Sequence, residues 1–318
     1  MIKPRNPLIV LLWSFALFIL IHTSQYVGYW VASVFSGAAF GSIISGQFTS
    51  PRTLLGQGLT AAVLGIPLAI LVTKFLWRRP WEWIRFRPSG RHFLLGCVLG
   101  IGLPVVAIFL ISIFADSQIV ATPSRFAPGE PIMILAGSIG WVLFIAITEE
   151  LVFRGMAVRE WAAKWGWPAA IVLGGVYFGA VHVLGLIRDI NVLNALWIII
   201  AAIVANLLFV ALYIRGRSLW LPIGFHLGWN LTLESILGIT ISGKDAAFGL
   251  FSIETTGPDL ITGGSFGMEA SVVTMGLWVV VSILVLRFSR SGQPLILNPA
   301  PTEGLTSPMQ PGTARGID

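Results

Sequence analysis

Long apolar runs separated by short polar, often basic, stretches order this chain. Eight of them, near residues 8–33, 54–76, 93–115, 132–153, 168–187, 193–214, 219–240 and 270–287, approach or exceed the roughly 20 residues a helix needs to cross a bilayer. They are continuous and lack the ten-residue alternation of a membrane β-barrel. The pattern predicts an all-α integral membrane protein, a bundle of about eight transmembrane helices around an intramembrane polar cavity. The first run continues into Tyr26, Tyr29 and Trp30 without a cleavage site, so it reads as a retained span and not a signal peptide. The stretch 155–167, with Trp161, Trp165 and Trp167, is too polar to span and reads as a helix end at the interface. Four regions follow: 1–130 with about three spans, 131–240 with the polar residues of interest, 241–290 with an irregular Gly-rich outer loop (242–268) and the last span, and 291–318, a disordered cytoplasmic tail.

Composition narrows the class. The chain is 56% hydrophobic and 11% charged, far below the roughly 25% charged residues of soluble domains. Its net charge of +6 does not point to nucleic acid, because the cations lie in short loops between spans. With the N-terminus inside, 16 of the 20 basic residues fall on the cytoplasmic side, leaving Arg52, Arg125, Arg188 and Lys244 outside. The positive-inside rule then gives a multi-pass protein with both termini in the cytoplasm. Short loops and the lack of a targeting segment suit a prokaryotic plasma membrane. The single cysteine, Cys97, rules out an internal disulfide and a thiolate metal cluster.

Against this background a few polar residues stand out. Glu149 and Glu150 close an apolar run, where an ionised side chain costs at least about 2.5–3.5 kcal/mol. At about 100° per residue they point to different faces, so different roles are expected. Glu150 and Arg154 stand at i and i+4 with the acid first, the favourable order for an ion pair. Phe178 and His182 share one helix face, and His226 and Asn230 share another. A carboxylate with an imidazole can deprotonate a water, directly or through a metal ion. An imidazole with a carboxamide can donate to an oxyanion. No serine or cysteine sits in a nucleophile setting, which makes water the candidate. The competing classes are a proton-coupled transporter, with Glu and His as a relay, and a non-enzymatic immunity or assembly factor. His22 and His92 read as packing or hydrogen-bonding residues, the first at the interface and the second in a cytoplasmic loop, Asn206 as an interhelical hydrogen-bond donor, and Glu234 as a polar wall or an outer-side helix residue.

The segments EELVFR, FGAVH and HLGWN, in this order on successive apolar runs, resemble the three motifs of the CPBP family of intramembrane proteases, which includes the CAAX prenyl endopeptidases and the Abi proteins. The resemblance covers roughly residues 130–240. It implies that Glu149 and His182 activate a water, that Glu150 and Arg154 support the site, and that His226 and Asn230 stabilise the oxyanion, with Phe178 as a cavity wall. It also implies a possible zinc ion. No HExxH is present, so zinc would have to recruit Glu149, His182 and His226 from three helices. A metal-free, glutamate-activated water uses the same residues, and the sequence leaves both open. The expected substrate is a membrane-attached protein or peptide reached from the cytoplasm; neither prenylation nor oligomeric state is readable. With Glu149 near the cytoplasmic end of its span and His182 some 14 residues into the next, His182 would lie deeper unless its helix starts below the interface or tilts.

Overall fold

The computed structural model describes residues 4–23, 26, 30, 33–34, 50–186, 190–246 and 248–287. The expected tail, most of the 36–53 loop and most of the first expected span beyond Thr23 lie outside them. In chain order the helices are α1 (Pro7–Thr23), α2 (Pro51–Trp77), α3 (Trp81–Ile84), α4 (Gly90–Ile111), α5 (Glu130–Trp165), α6 (Trp167–Gly185), α7 (Val192–Gly216) and α8 (Trp220–Asn230), then α9 (Asp259–Thr262) and α10 (Val272–Arg287). α8 runs on as a π-helical segment, Leu231–Leu237. Five helices among the described residues (α2, α4, α5, α6 and α7) are long and apolar enough to cross a membrane, and α1 and α10 are shorter apolar helices. The protein is a mostly helical integral membrane protein, with five such helices where hydropathy alone counts eight spans. α8 falls outside the five; Leu221 to Trp229 are all buried by its neighbours.

The largest departure from expectation is α5. Its helix does not stop near residue 153 but continues to Trp165, for 36 residues. The polar stretch that reads as interfacial is mostly inside the protein, where other segments satisfy it. Arg159 donates from Nε to the Trp83 carbonyl (3.1 Å). Glu160 accepts from Arg79 Nη2 (2.9 Å) and from the Arg5 backbone N–H (3.0 Å). Of the three tryptophans, Trp161 and Trp167 are buried and Trp165 is exposed.

Gly166, at φ 83°, turns α5 back into α6; this positive φ is the left-handed region that glycine adopts without strain. Glu149 lies 17 residues before that glycine and His182 lies 16 after it. At about 1.5 Å per residue the two reach nearly the same level of the hairpin. The expected difference in depth disappears because α5 is longer than its hydropathy indicates.

α4 and α8 meet backbone to backbone. A Cβ on Gly96 or Gly100 would run into the carbonyls of Leu221 and Phe225, and one on Gly224 or Gly228 into those of Phe93 and Cys97. Small residues four apart on both helices are the usual means of such close approach in membranes. The contact fixes α8, and with it His226 and Asn230.

The connecting segments gather at two ends. At the basic end, Arg5, the loop after α2, the end of α5 and the start of α8 interlock, with Leu219 N–H donating to the Arg85 carbonyl (2.9 Å). At the opposite end β1 (Asp116–Ala121) pairs antiparallel with β2 (Ser252–Thr256), Asp116 facing Thr256 and Ile119 facing Ile253. The expected irregular loop 242–268 thus contains a strand. Its partner is more than a hundred residues away in sequence, beyond the reach of local pattern.

Candidate active site

Within α5 the backbone changes from α to π geometry between the two glutamates: Glu149 ends the α-helical part and Glu150–Val158 is π-helical. Such segments inside α-helices are frequent at functional sites. All nine residues of the π segment are buried.

Glu150 is the hub of a dry network. Its Oε1 accepts from Arg154 Nη1 at 2.8 Å and from His226 Nδ1 at 3.1 Å. Both Glu150 and Arg154 are 0% exposed. The Arg154 guanidinium lies over two rings, 4.2 Å from the centre of Phe209 and 4.7 Å from that of Phe178, where an arginine cation is attracted to the π face. Its Nε donates to Asn206 Oδ1 (3.2 Å), and Asn206 Nδ2 donates to the Ile171 carbonyl (2.7 Å). Asn206 therefore bridges helices as expected, and it also holds the arginine. Among the described residues Glu150 Oε2 and Arg154 Nη2 are buried without a hydrogen-bond partner.

His226 joins the two acids that helix geometry sets on different faces. Its Nδ1 meets Glu150, and its Nε2 lies 3.8 Å from Glu149 Oε2. Because a carboxylate only accepts, Nδ1 carries a proton toward Glu150. Glu149 is less enclosed than Glu150, at 8% exposure against 0%.

His182 is half-buried at the same level of the hairpin, one turn beyond Phe178. Its Nδ1 donates to the Phe178 carbonyl (2.9 Å), and its ring packs on Phe178 with centroids 4.4 Å apart. The ring of Phe266, from the segment between β2 and α10, stands 6.5 Å from that of His182. Asn230 is half-buried at the end of α8, one turn past His226. The arrangement thus brings Glu149, Glu150, Arg154 and His226 into one cluster, with Phe178 as the ring under Arg154 and His182 on the adjoining helix.

The rings of Phe153 and Phe178 (4.9 Å) and of Phe18 and Phe153 (5.6 Å) form a layer on the basic-end side of His182. Glu149 sits mid-helix, 19 residues from Glu130 and 16 from Trp165.

The residues offered for zinc do not form a ligand set in this arrangement. Among the described residues no group of three His, Cys, Asp or Glu side chains is close enough to hold a metal ion, and His226 Nδ1 is already committed to Glu150.

Residues 131–232 match the family model described as type II CAAX prenyl endopeptidase Rce1-like. The match agrees with the CPBP resemblance over the same part of the chain. The Rce1-like segment runs from α5 into the π turn after α8, about a third of the chain, and holds the whole cluster. No curated protein and no solved structure matches the chain. Asn206 lies inside the segment; in the sequence its only signal is a carboxamide in an otherwise apolar run. Glu269, which accepts from Trp229 Nε1 (3.2 Å) and from Ser242 N–H (3.0 Å), ties the segment before α10 to α8 from beyond the matched residues and gives no such signal.

Proposed function

We propose that this protein is an intramembrane endopeptidase that hydrolyses peptide bonds of membrane-attached proteins or peptides, with water as the nucleophile. The observation that carries this reading is a single buried imidazole, His226, addressed by two carboxylates at its two nitrogens, inside a segment that matches a membrane protease family. In this reading Glu149, assisted by His182, takes a proton from water as the water oxygen attacks the scissile carbonyl carbon. His226 and Asn230 donate hydrogen bonds to the oxyanion that forms. With Nδ1–H held on Glu150, donation from His226 Nε2 requires the ring to carry both protons. Glu150, Arg154 and Asn206 orient that ring. When the C–N bond breaks, the proton on Glu149 passes to the leaving nitrogen and the carboxylate is restored.

The test compares membrane peptides from cells carrying the wild type with those carrying Glu149→Ala. Fragments present only with the wild type, and reproduced by the purified protein in lipid discs, are expected. Equal fragments from Glu149→Ala protein would remove Glu149 from the chemistry and the reading with it.

A further inference from the structure

α1 lies outside the Rce1-like segment, yet it repeats a pattern found inside it. Phe18 and His22 stand at i and i+4, as do Phe178 and His182. In both pairs the histidine Nδ1 is 2.9 Å from the carbonyl oxygen of its own phenylalanine. In both the imidazole packs on that phenylalanine, with centroids 3.9 Å apart in α1 and 4.4 Å apart in α6. A carbonyl cannot donate, so each Nδ1 carries a proton, and in the neutral form of such a ring Nε2 is an acceptor, with no hydrogen-bond partner for it among the described residues.

Both phenylalanines rest on one ring, Phe153, at 5.6 Å and 4.9 Å. Phe153 is one turn past Glu149 on α5. α1 and α6 start at the basic end, where α5 finishes, so both run against it. One turn forward from Phe18 or Phe178 is therefore one turn back from Phe153, which is the level of Glu149. A second contact agrees: the His22 ring is 6.0 Å from that of Phe144, so α1 touches α5 on either side of Glu149 in sequence. His22 is also within electrostatic reach of Glu149.

We propose that His22 is a further positioning residue of this site: its Nε2 accepts a hydrogen bond from one O–H of the water, while the other O–H, shared between Glu149 and His182, is the one transferred, and this keeps a lone pair of that water aimed at the scissile carbonyl. The inference rests on the hydrolytic reading above. No proton is transferred to His22; Glu149 remains the base.

The test measures kcat and KM on a membrane-anchored peptide that the wild type cleaves, for protein in lipid discs. His22→Leu is expected to lower kcat on the order of 10- to 100-fold, the worth of a hydrogen bond to a reacting group. KM should move less than about threefold, because the contact serves the water and not the ground-state substrate. His22→Gln places a carbonyl acceptor near the position of Nε2 and should restore kcat to within about threefold of wild type. A purely structural role would not be rescued this way. Wild-type kcat in His22→Leu, or equal losses in the Leu and Gln variants, overturns the proposal. Should His22→Leu fail to fold, cysteines at 22 and 149 in a Cys97→Ser background supply the second arm. A short bismaleimide is expected to join them, and failure to do so counts against the proposal. Glu149→Ala measured alongside separates the two readings. If it turns over, hydrolysis by Glu149 fails; if it is inactive while His22→Leu runs at full rate, only the role of His22 fails.

Discussion

The two halves of the cluster are built differently. Around Glu150 the side chains hold one another: Arg154 and His226 both hydrogen-bond to Glu150 and Asn206 to Arg154, all four are buried, and the guanidinium lies between two rings. At the level of Glu149 the imidazoles of His182 and His22 are half-buried and, among the described residues, hydrogen-bond only to the backbone of their own helices. One half is spent on holding a shape; the other keeps acceptors free for something that arrives. Removing a group from the first half should therefore damage the fold, and from the second half the rate.

The largest effect expected is on rate. Glu149→Ala and His182→Ala should each lower cleavage by about 10²–10⁴-fold, the range for a positioned base, while unfolding in detergent stays close to wild type. Instability matching the loss of rate would erase the contrast between the halves.

Next in size is the ion pair. Arg154→Ala or Glu150→Ala strands a buried charge and should lower stability by about 3–5 kcal/mol. The double alanine variant should be less damaged than the singles summed. A strictly additive double-mutant cycle, read by denaturant unfolding, would mean that the 2.8 Å contact carries no coupling.

Smaller still is Asn206→Leu, which removes one acceptor from Arg154 and one donor from the Ile171 carbonyl. A stability loss of about 1–3 kcal/mol is expected, with kcat falling only as His226 loses its aim. The least effect is expected from chelation. Because Glu149, His182 and His226 form no three-ligand group in this arrangement, dialysis against a zinc chelator should leave cleavage unchanged. Loss of activity restored by added zinc would bring the two halves together around an ion.

Much of the cluster was legible in the sequence because its chemistry conflicts with its surroundings. Glutamates, histidines and an arginine in apolar runs cannot be mistaken for lipid-facing positions, and the spacing of Glu150 and Arg154 gave their contact directly. What stayed hidden depends on partners far along the chain. Arg159 and Glu160 look interfacial until Trp83, Arg79 and Arg5 are seen to satisfy them, so hydropathy ends α5 too early and leaves the depth of His182 open. His22 reads as an interfacial packing or hydrogen-bonding residue because nothing in α1 reveals that it borders α5. The pairing of β1 with β2 and the anchoring of Ser242 by Glu269 depend in the same way on contacts distant in sequence.

The glycine contact of α4 with α8 also has a mechanical meaning. With Gly96, Gly100, Gly224 and Gly228 each seated on the opposing backbone, the two helices form one stiff beam. Sliding either helix by a single residue would drive a Cβ into a carbonyl, so the beam has one axial setting. Membranes vary in thickness, and spanning helices accommodate this by tilting or by deforming the lipid around them. A change in thickness can tilt the beam as a whole but cannot shift α8 along α4. The height of His226 along α4 is thus set by the protein's own backbone, independently of the bilayer it sits in.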